Sequence, residues 1–123
     1  MKVNEPAVVQ EVTQAVLDYE QALVHNDVAA LDRFFWNSAE TVRLGARENL
    51  FGYQAIAEFR RQRSPKGLER EVVKVAITTF GDSLATAHVI FKRPHQSLGR
   101  QSQTWLRTQQ GWQIVSAHVS NIA

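Results

Sequence analysis

From Leu68 onward, four strand-like runs follow one another with only short polar connections between them. They cover about Leu68 to Phe80, Leu84 to Arg93, Arg100 to Thr108 and Trp112 to Ser120. They are separated by Gly81-Asp82-Ser83, by the loop from Pro94 to Gly99, and by Gln109-Gln110-Gly111. A parallel neighbour would need a crossover of roughly a dozen residues or more, so connections this short predict an antiparallel meander.

What comes before Leu68 reads mainly as helix. The first helix, about Glu5 to His25, places Val8, Val12, Ala15, Val16, Tyr19, Ala22 and Leu23 on one face and leaves Asp18, Glu20 and Gln21 for solvent. Asn26-Asp27 breaks it, and Asp27 can cap a second helix, about Val28 to Trp36, that buries Val28, Leu31, Phe34 and Phe35. A short strand, about Glu40 to Leu44, sets Val42 and Leu44 on one side and Thr41 and Arg43 on the other. Gly45 and Arg47-Glu48-Asn49 form a turn, and Leu50-Phe51 returns as extended chain. Gly52 opens a third helix, about Tyr53 to Arg63, with Ile56 and Phe59 inward, which Ser64-Pro65-Lys66-Gly67 ends. Three helices and then a long antiparallel sheet predict one α+β domain over residues 1–123. In it a curved sheet wraps around the three N-terminal helices as a cone with a closed apex and an open mouth.

Composition narrows the chemistry. The 123 residues include no cysteine, which removes disulfides, thiol catalysis and cysteine-ligated zinc and fits a cytoplasmic protein. Apolar runs are far too short to span a membrane, and the N-terminal segment lacks the apolar core of a signal peptide. The net charge is only +2, and the dense basic patch of a nucleic-acid face is missing. Ten of the fourteen basic residues are arginine, whose planar fork suits carboxylates, so the bias points toward a small anionic ligand.

A few residues carry possible chemistry. Tyr19 puts a phenol on the buried helix face, where it serves either as a core tyrosine bonded to a backbone carbonyl or as a pocket tyrosine. Arg43 lies on a short strand just after Phe34-Phe35-Trp36 with no acid beside it on its own face. It is therefore either a rim residue or an anion-binding arginine. Arg60, Arg61 and Arg63 form a charge run that reads as a solvated helix face, although Arg60, next to inward Phe59, can reach the mouth. Arg70 and Arg100 begin strands as rim candidates. On the last strand Trp112, Ile114, Ser116, His118 and Ser120 share one phase; if that phase faces the helices, His118 and Ser120 line the pocket. His88 shares the ambiguity. His25 sits at a helix end and His95 in a loop. The histidines have no metal-ligand spacing, and no catalytic triad, phosphate loop or dinucleotide motif is present.

The order of elements resembles the cone-shaped superfamily of nuclear transport factor 2, ketosteroid isomerase and SnoaL over essentially the whole chain. Asn26-Asp27 with Leu31, Phe34 and Phe35 resembles its second-helix signature, and Gly111 to Ser120 is similar to the last strand of the branch containing the calmodulin-kinase association domain. Leu17-Asp18-Tyr19-Glu20, Val42-Arg43-Leu44-Gly45 and Gly99-Arg100-Gln101-Ser102-Gln103-Thr104-Trp105 resemble the AtzH-like branch, which includes the HpxZ proteins of oxalurate and purine-ureide catabolism.

The resemblance implies a small cytosolic enzyme that decarboxylates a ureido carboxylate, of the 1,3-dicarboxyurea-to-allophanate type, with no cofactor or metal. Tyr19 and Arg43 match the expected catalytic pair; Trp36, Arg60, His118 and Ser120 are the expected substrate-binding residues. No acid stands at Arg43 to serve as the base of a ketosteroid isomerase. Two other readings remain: a non-catalytic ligand-binding or assembly module of the same fold, and a hydrolase or dehydratase on a related small acid with His118 as base. Strands apolar on both faces, with Val89 and Phe91 opposite Ile90, predict a homodimer or higher homo-oligomer.

Overall fold

A computed structural model describes residues 1–123. Helix α1 (Pro6–Val24) starts with proline in its first turn, where a missing N–H costs nothing. It buries Val8, Val12, Val16, Tyr19, Ala22 and Leu23 as the spacing predicts. Glu20 departs from expectation: it is 5% exposed rather than solvated. Its partner comes from far along the chain, so the helix alone gives no sign of it.

Asn26 takes φ +50° to end α1, and the Asp27 carboxylate accepts from the Ala30 N–H at 3.1 Å to cap α2 (Val28–Phe34). This helix stops before Trp36 because Phe35 is extended and bridges Ile114, whose carbonyl accepts from the Trp36 N–H at 3.0 Å. Strands β1 (Val42–Leu44) and β2 (Asn49–Phe51) form a hairpin, and Gly52 at φ +95° leads into α3 (Tyr53–Gln62). The meander follows as β3 (Glu71–Phe80), β4 (Leu84–Lys92), β5 (Leu98–Thr108) and β6 (Gly111–Asn121).

The six strands make one curved sheet in the order β2-β1-β6-β5-β4-β3. Every pairing is antiparallel except that of β1 with β6, which is parallel and sets Arg43 beside Ala117. The helices cover the concave face, α1 along β3, α2 against β6 and α3 against the β1–β2 hairpin. Between helices and sheet the core gathers Val12, Val16, Leu31, Phe35, Trp105 and Ile114, each at most 1% exposed.

Register assigns each strand residue to a face. Arg43, Ala117, Gln103, Ala87 and Ile77 form one row across the concave side, and Val119, Gln101, Val89 and Val75 the next. Two small alanines, Ala87 and Ala117, flank Gln103. A bulge at Val115 breaks the alternation of β6: Trp105 pairs with Ile114, yet Thr104 pairs with Ser116. Ile114 is therefore buried, as are Ala117, Gln103 and Ala87 in its row, while Ser116, His118 and Ser120 turn to the convex face. That face mixes small polar side chains such as Thr86, Ser102 and Ser116 with Val42, Leu44, Ile90 and Phe51, the last 69% exposed. Val89 and Phe91 lie on the buried side, so the convex face is less apolar than expected.

Candidate active site

Tyr19 projects from the middle of the covered face of α1 and is 3% exposed. Phe34, Phe35 and Trp105 surround its ring edge-on at 5.9, 6.1 and 6.3 Å between centroids. Its hydroxyl oxygen accepts from Gln101 Nε2 at 3.4 Å.

The orientation of that amide is determined by Arg70. Arg70 donates to both Glu20 carboxylate oxygens and, through Nη2, to Gln101 Oε1 at 2.8 Å. Arginine can only donate, so the amide must present oxygen to it and nitrogen to Tyr19. The phenol oxygen is thus an acceptor on this side and keeps its own hydrogen for another group. Arg70 also stacks over Phe91 at 4.1 Å. Gly99 makes room for that ring, since a Cβ there would lie 2.2 Å from Phe91 carbons.

Arg43 comes from β1 onto the same concave face. It stands over Phe59 at 5.7 Å, its side chain 13% exposed. The acid that seemed to be lacking is Glu48, whose Oε1 accepts from Arg43 Nη1 at 3.1 Å. Glu48 folds back from the hairpin turn across Gly45, where a Cβ would sit 1.9 Å from the carboxylate oxygen. A side chain at position 45 would require the Glu48 carboxylate to move.

Arg60 is 5% exposed and pairs with Asp32 at 2.6 Å while stacking over Phe35 at 4.9 Å. These contacts tie α3 to α2 and occupy the guanidinium that was expected to meet substrate. Nearby, Tyr53 donates to the Asp32 carbonyl at 3.3 Å; burial, then the Asp32 charge, pushes its phenol above the usual value.

Arg63 differs from these. It sits at the end of α3, and its Nε and Nη2 are buried without a partner. Burial first, and then the charge of Arg43, lower its pKa, with Arg60 and Arg93 adding repulsion and Tyr19 opposing it. Arg93 donates Nε to the Gly67 carbonyl at 3.1 Å and stacks over Phe91; burial and then Arg70 lower its pKa. Five arginines thus converge on this end of the cone, and three carboxylates, Glu20, Asp32 and Glu48, pair with three of them. Arg63 and Arg93 have no ion-pair partner. A groove of about 450 Å³ opens beside two of these arginines, lined by Glu69, Arg70, Glu71, Lys92 and Arg93 together with Val24 and Pro94.

Tyr19, Arg43 and Arg60 therefore lie on the covered side, whereas His118 and Ser120 do not. Trp36 serves through its backbone: besides its N–H bond to Ile114, its carbonyl accepts from Thr41 Oγ1 at 2.7 Å, holding the link into β1. His118 is a correction. It is exposed on the convex face opposite Ser102 and Leu44, because the Val115 bulge shifts the phase of β6. Ser120 follows it, opposite Arg100. His88 is on that face too, its Nδ1 2.9 Å from Ser102 Oγ. The hydrolase or dehydratase reading with His118 as base loses its residue. No cluster of three His, Asp or Glu side chains is placed to ligate a metal.

Arg63 and Arg93 were missed as site residues. For Arg63 the signal was there: it continues the Ile56, Phe59, Arg60 spacing of the inward face of α3.

The sequence model of the AtzH-like family matches residues 1–123. No curated protein sequence matches the chain. Among solved structures, a protein of unknown function from the DUF3225 family of Pectobacterium atrosepticum is 46% identical, with a TM-score of 0.96 over 98% of this chain and 95% of its own. A cystatin-like fold protein from Burkholderia xenovorans is 43% identical, with a TM-score of 0.95 over 100% and 98%. A nuclear transport factor 2-like superfamily protein from Salmonella enterica is 26% identical, with a TM-score of 0.78 over 95% and 92%. A family match from end to end, two close structural relatives and the cone architecture agree: the chain belongs to the AtzH-like family.

Proposed function

We propose that the protein is a cofactor-independent decarboxylase of a small ureido carboxylate, converting a substrate of the 1,3-dicarboxyurea type to an allophanate-type product. Such a reaction belongs to the breakdown of oxalurate, purine ureides or related nitrogen compounds in the cytoplasm. The observation that carries the reading is that Tyr19, from α1, and Arg43, from β1, both face the covered side of the sheet, at the end of the cone where Arg60, Arg63, Arg70 and Arg93 also gather.

In the reaction the N–carboxylate bond breaks, CO2 departs, and the bonding pair remains on the urea nitrogen. Arg43, close to the developing charge, stabilises it in a low-dielectric space where a fixed cation acts far more strongly than in water. Tyr19 then gives its unengaged hydroxyl proton to that nitrogen, and the phenolate regains a proton from solvent. A positioned general acid of this kind is worth roughly 10²–10⁴-fold in rate. Glu48, by sharing Arg43, fixes its direction. The convex face, with Phe51, Val42, Leu44 and Ile90, is read as the surface on which a second copy packs.

The test uses chelator-treated protein given dicarboxyurea, with CO2 and allophanate followed over time. Tyr19→Phe should retain binding and lose about 10²–10⁴-fold in turnover, whereas Arg43→Ala should lose binding as well. Full turnover in Tyr19→Phe removes the tyrosine from the mechanism. No turnover by the wild-type protein leaves the ligand-binding module as the reading.

A further inference from the structure

Inside the cone, the polar atoms left without partners near Tyr19 are donors. Arg63 has Nε and Nη2 buried and unengaged. These two nitrogens form one side of the guanidinium, the edge that meets both oxygens of a carboxylate at once. The neighbours acting on it are Arg43, Tyr19, Arg60 and Arg93, and no acid approaches it within ion-pair distance.

Gln103 is the second unfilled donor. Trp105 Nε1 donates to Gln103 Oε1 at 2.8 Å, and an indole N–H can only donate, so the amide oxygen must face Trp105. That leaves Gln103 Nε2 buried with no acceptor. Gln103 lies two strands from Arg43, across Ala117, with Ala87 as its other neighbour, so neither flanking side chain offers that amide nitrogen an acceptor. The Tyr19 hydroxyl hydrogen is the third. The two other buried unpaired atoms belong to Asn26, at the α1–α2 turn, and Thr79, on the opposite edge strand β3. A set of donors with no acceptor among them is satisfied by a ligand made of acceptors.

We propose that Arg63 and Gln103 form the anchor of an anionic ligand, with the Arg63 Nε–Nη2 edge gripping a carboxylate and Gln103 Nε2 bonding a second oxygen of the same molecule. Arg43, shared with Glu48, is left to act on the group that reacts. The anchor deepens the decarboxylase reading and rests on it for the identity of the substrate, where it holds the carboxylate that is kept. Two buried donors without an acceptor are costly to fold, so Arg63 also burdens the free protein, as binding groups commonly do.

The experiment is calorimetric titration of the wild-type protein with malonate, a dicarboxylate that has no N–carboxylate bond to lose, and with biuret as the uncharged control. Malonate should bind and biuret should bind far less. Arg63→Met should weaken malonate by about 100-fold or more, and Gln103→Leu by about 10-fold. Arg63→Lys should recover only part of the loss, because an ammonium has no fork. Arg63→Met should melt no lower than wild type, which separates lost binding from lost folding. Equal malonate affinity in Arg63→Met, or no malonate binding by the wild-type protein, overturns the anchor. Malonate binding that depends on Arg63, together with no turnover of dicarboxyurea, overturns the decarboxylase and leaves the anchor standing.

Discussion

Glu20 and Arg70 join α1 to the start of the meander through a pair whose side chains are 6% and 2% exposed. Replacing Glu20 with methionine leaves Arg70 buried, still bonded to Gln101 but without its counter-charge. Breaking a buried pair from one side costs about 3–5 kcal/mol. Unfolding entropy of about 2.1 cal/mol/K per residue over 123 residues makes 1 kcal/mol worth roughly 4 °C. Glu20→Met should therefore lower Tm by about 12–20 °C. Arg70→Met should cost a similar amount, with its stacking on Phe91 included. The double variant should recover most of the loss, because methionines of similar length fill the space without a charge to desolvate. Urea unfolding of all four proteins closes the cycle and gives the coupling directly. A cost below about 1 kcal/mol for Glu20→Met, the range of an exposed ion pair, would refute the reasoning.

Two further outcomes follow. Gln101→Glu replaces the donor to Tyr19 with a carboxylate that accepts the phenol hydrogen while still pairing with Arg70; kcat should fall by at least about 10-fold with little change in KM or Tm, and steady-state kinetics on dicarboxyurea read it. Glu11 accepts from Trp112 Nε1 and from Arg107, in that order the causes that hold its pKa below the ordinary 4.5. Its contribution to stability is full above 4.5 and disappears as pH falls through the lower folded-state value, so Tm measured from pH 6 to 3 should fall less steeply in Glu11→Gln.

Local patterns were good guides where local forces decide. The covered face of α1, the Asp27 cap and the four meander strands follow from side-chain spacing and turn chemistry. Glu20 was misread because Arg70, which justifies its burial, lies fifty residues on. Arg43 looked acid-free because Glu48 approaches around a hairpin and not along the strand. His118 was misplaced because alternation assumes an unbroken ladder, and nothing in Val115 itself announces a bulge. Arg63 was legible by helical spacing but was discounted as one of a run of charges, which a sequence cannot sort into paired and unpaired.

The pairing of β1 with β6 has a consequence for how the molecule assembles. Every other strand neighbour in the sheet is also a neighbour in sequence, so those ladders close through short loops. The β1–β6 contact alone spans most of the chain, and its loop-closure entropy is met only once the meander exists to receive it. Arg43 is thus delivered to its place by the least local strand pairing in the sheet. It arrives on a three-residue strand at one side of the sheet, so the hairpin that carries it is the part able to come away while the meander stays intact.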